Sequence, residues 1–445
     1  MSTDPLEHDS PPQLTSFGRW AILFVAFFGW FCAGFQLSIS SVVMPVAAAD
    51  LLPPGTPEKE IGHWFGLLTA AFLFGAAAGG YVFGQVGDRI GRARAMAASI
   101  ACYSIFSGLT WFAPDPQTLL VFRFVTCLGV GGMWPTGIAL LSEAWSGVAR
   151  PVLAGVMGTS ANIGIVCFSV MTVYWPAEQD HWRWTMLVGA APLMLALLSL
   201  AIVPESPRWL ALRHRPRDND ASPADAVGLG EIFRPPILRI TLAGILIGTI
   251  PLFGGWGVSN WAQIWASKVG DRRTTSAAND PGKSEAPSDP ALKARANIAR
   301  ALPGAISSLL GGAVAFYLGR RRSYFVLCLC ALFCTQMLFR VEDPKSDEFL
   351  FWMGALGFFS GFFFGWLPLC LPEMFPTRVR STGAGVSFNW GRILTAVGVL
   401  ATAFALRDKF EGRYADVGLV TGYIYAIGLG AILLAPPVTD AALED

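Results

Sequence analysis

Arg392 lies inside "SFNWGRILTAVG", eleven residues past Ser381, in a run with no other charge until Arg407. On a helix that rises ~1.5 Å per residue, it stands ~16 Å in. That is near the middle of a hydrocarbon core ~30 Å thick. A charge at that depth costs at least ~2.5 kcal/mol on insertion scales, so it needs water or a partner. No acidic residue lies at comparable depth in any apolar run: Asp50 is close to a run's end, and Asp88, Glu143 and Glu373 are in loops. A substrate anion is then the natural counter-ion, held by charge-assisted hydrogen bonds. A plainer reading stays open, in which backbone carbonyls and water neutralise the guanidinium and it holds helices together. Other polar or aromatic residues share this depth: Gln36 in "GFQLSISS", Asn162, then Trp256, Asn260, Trp261 and Gln263 in "GGWGVSNWAQIW", and Asn389 and Trp390 beside Arg392. With Arg392 they form the candidate substrate-contacting set. The tryptophans also suit bundle packing or interfacial anchoring, and Asn162 and Asn260 could tie helices by hydrogen bonds.

A second group of charges lies between apolar runs. "GQVGDRIGRARAM" spans Gly84 to Met96 and holds Asp88, Arg89, Gly91, Arg92 and Arg94. Shifted by 228 residues, Gly84 lands on Gly312, Gly91 on Gly319 and Arg92 on Arg320, while Asp88 lands on Phe316. Glu143 precedes Arg150 by seven residues, and Glu373 precedes Arg380 by the same seven. Two matching loops of this kind argue for duplicated halves. Their chemistry is ion pairing at a membrane face, where Asp88 can also meet the positive end of a helix. We read Gly84, Asp88, Arg89, Gly91, Arg92, Glu143, Arg150, Glu373 and Arg380 as a latch. Simple topogenesis would explain the arginines, but not the acids beside them.

The elements that must position these residues are membrane helices. The chain has 445 residues, 53% hydrophobic and 14% charged, with net charge +1. Soluble proteins carry about 25% charged residues, and a charge balance near neutral points to no nucleic-acid partner. About twelve runs are long enough to span a bilayer: 18–45, 62–86, 95–113, 117–141, 150–175, 183–204, 237–266, 296–318, 323–341, 347–371, 381–406 and 414–436. They do not alternate, so they are helices and not barrel strands. The expected division is a cytoplasmic tail 1–17, a six-helix bundle 18–204, a polar linker 205–236, a second bundle 237–436 with a long extracytoplasmic loop 267–295, and a tail 437–445. The fold class is all-α membrane protein, twelve transmembrane helices in two pseudo-symmetric bundles. Arginines in loops 2–3, 4–5, 8–9 and 10–11 share one side, which the positive-inside rule makes cytoplasmic, with both termini. The eight cysteines lie in apolar runs and read as packing residues.

"G-x-x-x-D-R-x-G-R" resembles the loop between helices two and three of the major facilitator superfamily. "FRFVTCLGVGG" resembles its helix-four motif, with Arg123 as the arginine and Cys127 where a glycine is common. "VPESPRWL" closely matches the end of helix six in sugar porters and related metabolite transporters. "LPEMFPTRVRSTGAGVSFNWGRI" looks like the helix 10–11 segment of a bacterial branch that includes sialate and other organic-anion symporters. The resemblance implies a major facilitator fold and alternating access, with loop pairs that hold the halves together when the cytoplasmic side is closed. It gives Arg123 a role in helix packing or in proton coupling. Proton-coupled sugar porters usually carry an acid in helix one, where this chain has Gln36.

These readings imply a transporter of a small organic anion, a sugar acid or carboxylate, with or without a co-transported proton. Two alternatives stay open: a carrier of a neutral sugar, polyol or aromatic vitamin, and a non-transporting membrane sensor. The sequence offers no Ser/His/Asp set, metal cluster or phosphate loop, so no enzyme, cofactor or metal is expected. The expected partners are the substrate and the lipid bilayer, with a monomer as the working unit. Short loops and the helix-four motif suggest a bacterial inner membrane.

Overall fold

The computed structural model describes residues 14–145, 150–214, 230–267, 290–376, 379–410 and 413–436. Arg150 begins a helix, but its side chain lies outside what is described, as do residues 215–229 of linker 205–236 and most of loop 267–295. Among the described residues, eleven helices are long and apolar enough to cross a membrane. In chain order the spans are α1 (Ser16–Leu51), α2 (Lys59–Ile90), α3 (Arg92–Phe112), α4 (Pro116–Ala144), α5 (Arg150–Tyr174), α6 (Trp184–Ile202), α7 (Ile237–Ala266), α8 (Pro290–Leu318), α9 (Arg320–Leu338), α10 (Asp347–Glu373), α11 (Arg380–Asp408) and α12 (Tyr414–Leu434). The twelfth by composition is α9, whose 19 residues open on Arg320, Arg321 and Arg322. The chain is an integral, multi-pass, all-helical membrane protein with two six-helix bundles.

The bundles repeat one another in detail. Glycines let backbones touch in equivalent places. A Cβ on Gly79 of α2 would lie 1.8 Å from the Leu128 carbonyl oxygen of α4, and one on Gly357 of α10 would lie 2.1 Å from the Arg300 oxygen of α8. The first helix of each bundle carries a π-turn, Ile39–Val43 in α1 and Gly254–Val258 in α7. Such turns re-aim side chains and recur at functional sites. α4 is capped by Asp115, whose Oδ1 accepts from the Thr118 amide at 2.7 Å. That bond holds the Asp115 carboxyl below the usual carboxylate range.

One boundary matters for function. α8 starts at Pro290, not at 296 as the sequence suggested. "ALKARANIARAL" is rich in alanine, lysine and arginine, all good helix formers, so the helix runs through its charges. Lys293 thereby joins the span, and Asn297 and Arg300 stand about two turns further from its start.

The bundles meet along two seams, α2 with α11 and α5 with α8, and α10 also packs on α5. We call the face bearing residues 84–96 and 319–322 the inner face, and its opposite the outer face.

Candidate functional site

The seams close tightly toward the outer face. A Cβ on Gly66 would come 2.2 Å from the Ala403 Cβ, and the His63 and Phe404 rings lie 4.8 Å apart. Phe65 meets Trp261 at 5.7 Å, and Phe72 meets Trp256 at 4.4 Å. On the other seam, Asn297 Nδ2 of α8 donates to Ser38 Oγ of α1 and Ser169 Oγ of α5, both at 3.0 Å. The two hydroxyls also bond each other at 3.0 Å. Three buried polar side chains from three helices thus knot the halves together. Deeper, Thr159 Oγ1 donates to the Ala305 oxygen at 3.0 Å. Asn162 lies on the same α5–α8 seam, its amide donating to its own helix at the Gly158 oxygen, 3.1 Å away.

At the inner face the pairing stays inside each half. Glu143 is bound by Arg92 and by Ser206 Oγ. Glu205 Oε1 accepts from the Ala93 and Ser206 amides at 3.0 and 2.9 Å, at the start of α3. In the second half, Arg320 grips Glu373 with two bonds of 3.1 and 3.3 Å. Arg380 instead donates to the Phe375 oxygen at 3.4 Å. Glu143 thus pairs with Arg92 and Glu373 with Arg320, while the Arg150 side chain lies outside the described residues. Neither pair bridges the halves. Asp88 and Arg89 are exposed, and Trp209 Nε1 bonds the Asp88 carbonyl at 2.9 Å. Gly84 has open space where a Cβ would stand, whereas Gly91 (φ 109°) would drive one into Glu205. Among the described residues, no hydrogen bond or ion pair joins the inner loops of one half to those of the other. The polar and aromatic contacts that join the halves are concentrated toward the outer face.

Between them lie the deep arginines. Arg123 of α4 is fully buried, and its guanidinium donates to Gln36 Oε1 at 3.0 Å, to the Gln36 carbonyl at 3.1 Å, and to Ser40 Oγ. Gln36 completes its amide on the Gly189 oxygen of α6 at 3.0 Å. Gln36 is thus a partner inside the first bundle and not a crevice residue. Arg392 Nη1 crosses the seam to the Ala76 oxygen at 3.1 Å and reaches Asn389 Oδ1 at 3.4 Å, with its guanidinium 4.8 Å over Phe388. Asn389 itself packs on Gly80 of α2, so it and Arg392 are together on the seam. Trp390 is not with them. It is 45% exposed and heads an outward stripe with Leu394 (42%) and Val397 (52%). That i, i+4, i+7 stripe faces lipid, so Trp390 leaves the candidate site.

Trp256, Asn260, Trp261 and Gln263 share the outer half of α7. Trp261 packs between Phe65 and Tyr414 and belongs to the core. Asn260 and Gln263 are buried, and Asn260 Nδ2 and both polar ends of Gln263 lack a partner among the described residues. Sequence reading passed over Asn297 and Arg300, although both lie inside the run 296–318. Arg300 of α8 reaches Asn297 Oδ1 at 3.4 Å, and its Nε has no partner among the described residues. A cavity of about 380 Å³ lies elsewhere, at the inner end of the second bundle beside Gly319 and Trp366.

Comparison with known proteins agrees with this geometry. The chain is 24% identical to a sialic acid transporter of Escherichia coli over 98% of its length and 96% of the relative's. It is 27% identical to a cis,cis-muconate transport protein of Acinetobacter baylyi over 76% of its length and 78% of the relative's. Its fold matches a crystal structure of a D-xylose-proton symporter with a TM-score of 0.69 at 16% identity, covering 96% of this chain and 99% of that one. The family model described as Major Facilitator Superfamily matches residues 26–399, and this chain belongs to that superfamily.

Proposed function

We propose that this protein carries a small organic anion across the membrane by alternating access between its two bundles, 18–204 and 237–436. The observation that carries this reading is Arg392: a guanidinium at mid-depth whose described partners, the Ala76 carbonyl and Asn389, are both neutral. An anion in the crevice supplies the missing charge. The transport of sialic acid and cis,cis-muconate by relatives supports the same substrate class. The arginines of the inner loops support a cytoplasmic inner face with both termini on that side, and we take the membrane to be a bacterial inner membrane. The conformation described is then inward-facing. In the opposite state, Asp88 engages the start of α11 and latches the inner loops. A single chain suffices, since the crevice forms within it.

Membership in a transporter superfamily also means that the chain is not an enzyme. Among the described residues, Arg123 hydrogen-bonds Gln36 and Ser40, neither of which can hold a proton as a carboxylate would. A pH gradient therefore acts through the substrate's own acid group. Uptake of labelled sialate, gluconate, lactate and glucose into proteoliposomes tests the reading. Acids should enter and glucose should not, and Arg392→Ala should lose acid uptake while remaining folded. Glucose uptake that survives Arg392→Ala would sink it.

A further inference from the structure

Arg300 is the deep cation that no reading of Arg392 uses. It lies ten residues from the start of α8 at Pro290, or ~15 Å along the helix. Leu302, Ile306 and Leu309 mark the lipid-facing stripe of α8 by their exposure. Arg300 falls on another side of the helix, one turn from Asn297, and is itself only half-buried. Its hydrogen-bond partner among the described residues is uncharged, Asn297 Oδ1 at 3.4 Å. Tyr425 of α12 stacks on Phe363 of α10, the helix that packs along α8. The Tyr425 oxygen crowds Gly254, the first residue of the α7 π-turn, so it stands at the same level of the bundle. Arg300 Nε and Tyr425 OH both lack a hydrogen-bond partner among the described residues, and Tyr425 is fully buried. Buried polar groups are nearly always satisfied, so a pair left open around a cation marks a place where something else bonds.

Asn297 gives that place a second property. Its oxygen faces Arg300, while its amide nitrogen holds Ser38 and Ser169 across the halves. The same side chain is thus one atom from the cation and one atom from the outer knot.

We infer that Arg300 binds the carboxylate of the transported anion, assisted by the Tyr425 hydroxyl, and that Asn297 ties this binding to the outer seal. The carboxylate competes with Asn297 Oδ1 for the guanidinium. A loaded carrier loses the contact that orients Asn297, and its outer knot opens more readily than that of an empty one. The coupling is reciprocal, as binding linkage requires. This rests on the anion-transport reading above and adds a residue, a second carboxylate-sized site and a trigger.

The test uses the full chain in proteoliposomes with labelled sialate and muconate as probes. Arg300→Gln should raise the KM about tenfold or more, the loss of a charge-assisted bond, and Arg300→Lys should recover part of it. In the wild type, counterflow should exceed net uptake, because the loaded carrier reorients faster. Asn297→Ala should bring that ratio toward one while moving the KM less than Arg300→Gln does. If Arg300→Gln fails to fold, Arg300→Lys and Asn297→Ala decide. An unchanged KM in the Arg300 variants, or an unchanged ratio in Asn297→Ala, overturns the inference and leaves anion transport standing. Wild-type uptake of neither acid overturns the anion reading itself, and this inference with it.

Discussion

The two bundles carry the same ion pair at their inner loops and treat their deep arginines in opposite ways. Arg92 with Glu143, and Arg320 with Glu373, occupy matching positions after loops that each turn on a positive-φ glycine, Gly91 and Gly319. In the first bundle the deep Arg123 is fully enclosed and well bonded to Gln36 and Ser40. In the second, Arg300 has one long bond, and Asn260, Gln263, Thr395 and Tyr425 hold buried polar atoms without partners among the described residues. Duplication preserved the scaffold. The hydrogen-bonding capacity left over is concentrated in one copy, and that copy is where a ligand has most to gain by binding.

The sharpest way to break this contrast is to remove the arginines one at a time. Arg123→Ala should cost the most stability, about 2–4 kcal/mol, since it strips the charged donor from Gln36 Oε1 and Ser40 Oγ and leaves the buried Oε1 without its partner. Thermal melting of the purified protein in detergent measures it. Arg300→Gln should leave melting nearly unchanged and instead remove the upward shift that added sialate gives the wild type. Equal destabilisation by both would erase the distinction between a scaffold arginine and a ligand arginine.

The loop glycines come next. Gly91 (φ 109°, ψ 151°) and Gly319 (φ 83°, ψ 144°) both sit in backbone regions that side chains avoid. Alanine should cost roughly 1–3 kcal/mol at either position. At Gly91 the new Cβ would also meet Glu205 Oε2 at 2.1 Å, whereas nothing lies within 4 Å at Gly319. Gly91→Ala should therefore melt lower than Gly319→Ala, and a reversed order would show that the Glu205 cap on α3 moves freely.

The acids follow with a smaller difference. Glu143 binds both Arg92 and Ser206, while Glu373 binds Arg320. Partly exposed pairs contribute about 1 kcal/mol, so both glutamine variants should lose about that much in melting experiments. Glu143→Gln should lose more, because Ser206 also loses its ionised acceptor.

The spans and the loop repeat were legible in the sequence because charge is excluded from lipid. "GDRIGRAR" and "ESPRWL" could only lie outside the lipid, so the apolar runs beside them had to be the spans. What was not legible depended on contacts across the chain. Glu143 and Arg92 are 51 residues apart, and nothing in "SEAWSGVAR" points to Arg92 as a partner. Arg300 and Asn297 were hidden by a different rule. Both lie at the start of the run 296–318, where polar residues read as the wet end of a span; the helix's start at Pro290, followed by an alanine-rich stretch free of glycine and proline until Pro303, puts them deeper. Helix propensity was the signal available there, and hydropathy outweighed it.

Trp390 gives the smallest expected effect and tests the placement of the crevice most directly. By sequence it sits between Asn389 and Arg392 and shares their depth. A helix turns 100° per residue, so chain neighbours do not face the same way. Asn389 and Arg392 point at α2, whereas Trp390, Leu394 and Val397 point outward. Trp390→Leu exchanges one lipid-facing apolar side chain for another. It should leave sialate KM and counterflow at wild-type values and shift melting by no more than about 0.5 kcal/mol, as surface substitutions do. Trp256→Leu, by contrast, loses the ring contact to Phe72 across the halves and should weaken the outer closure. If the two variants behaved alike in counterflow, α11 would have to be rotated about its axis, and Arg392 would then turn away from the crevice with it.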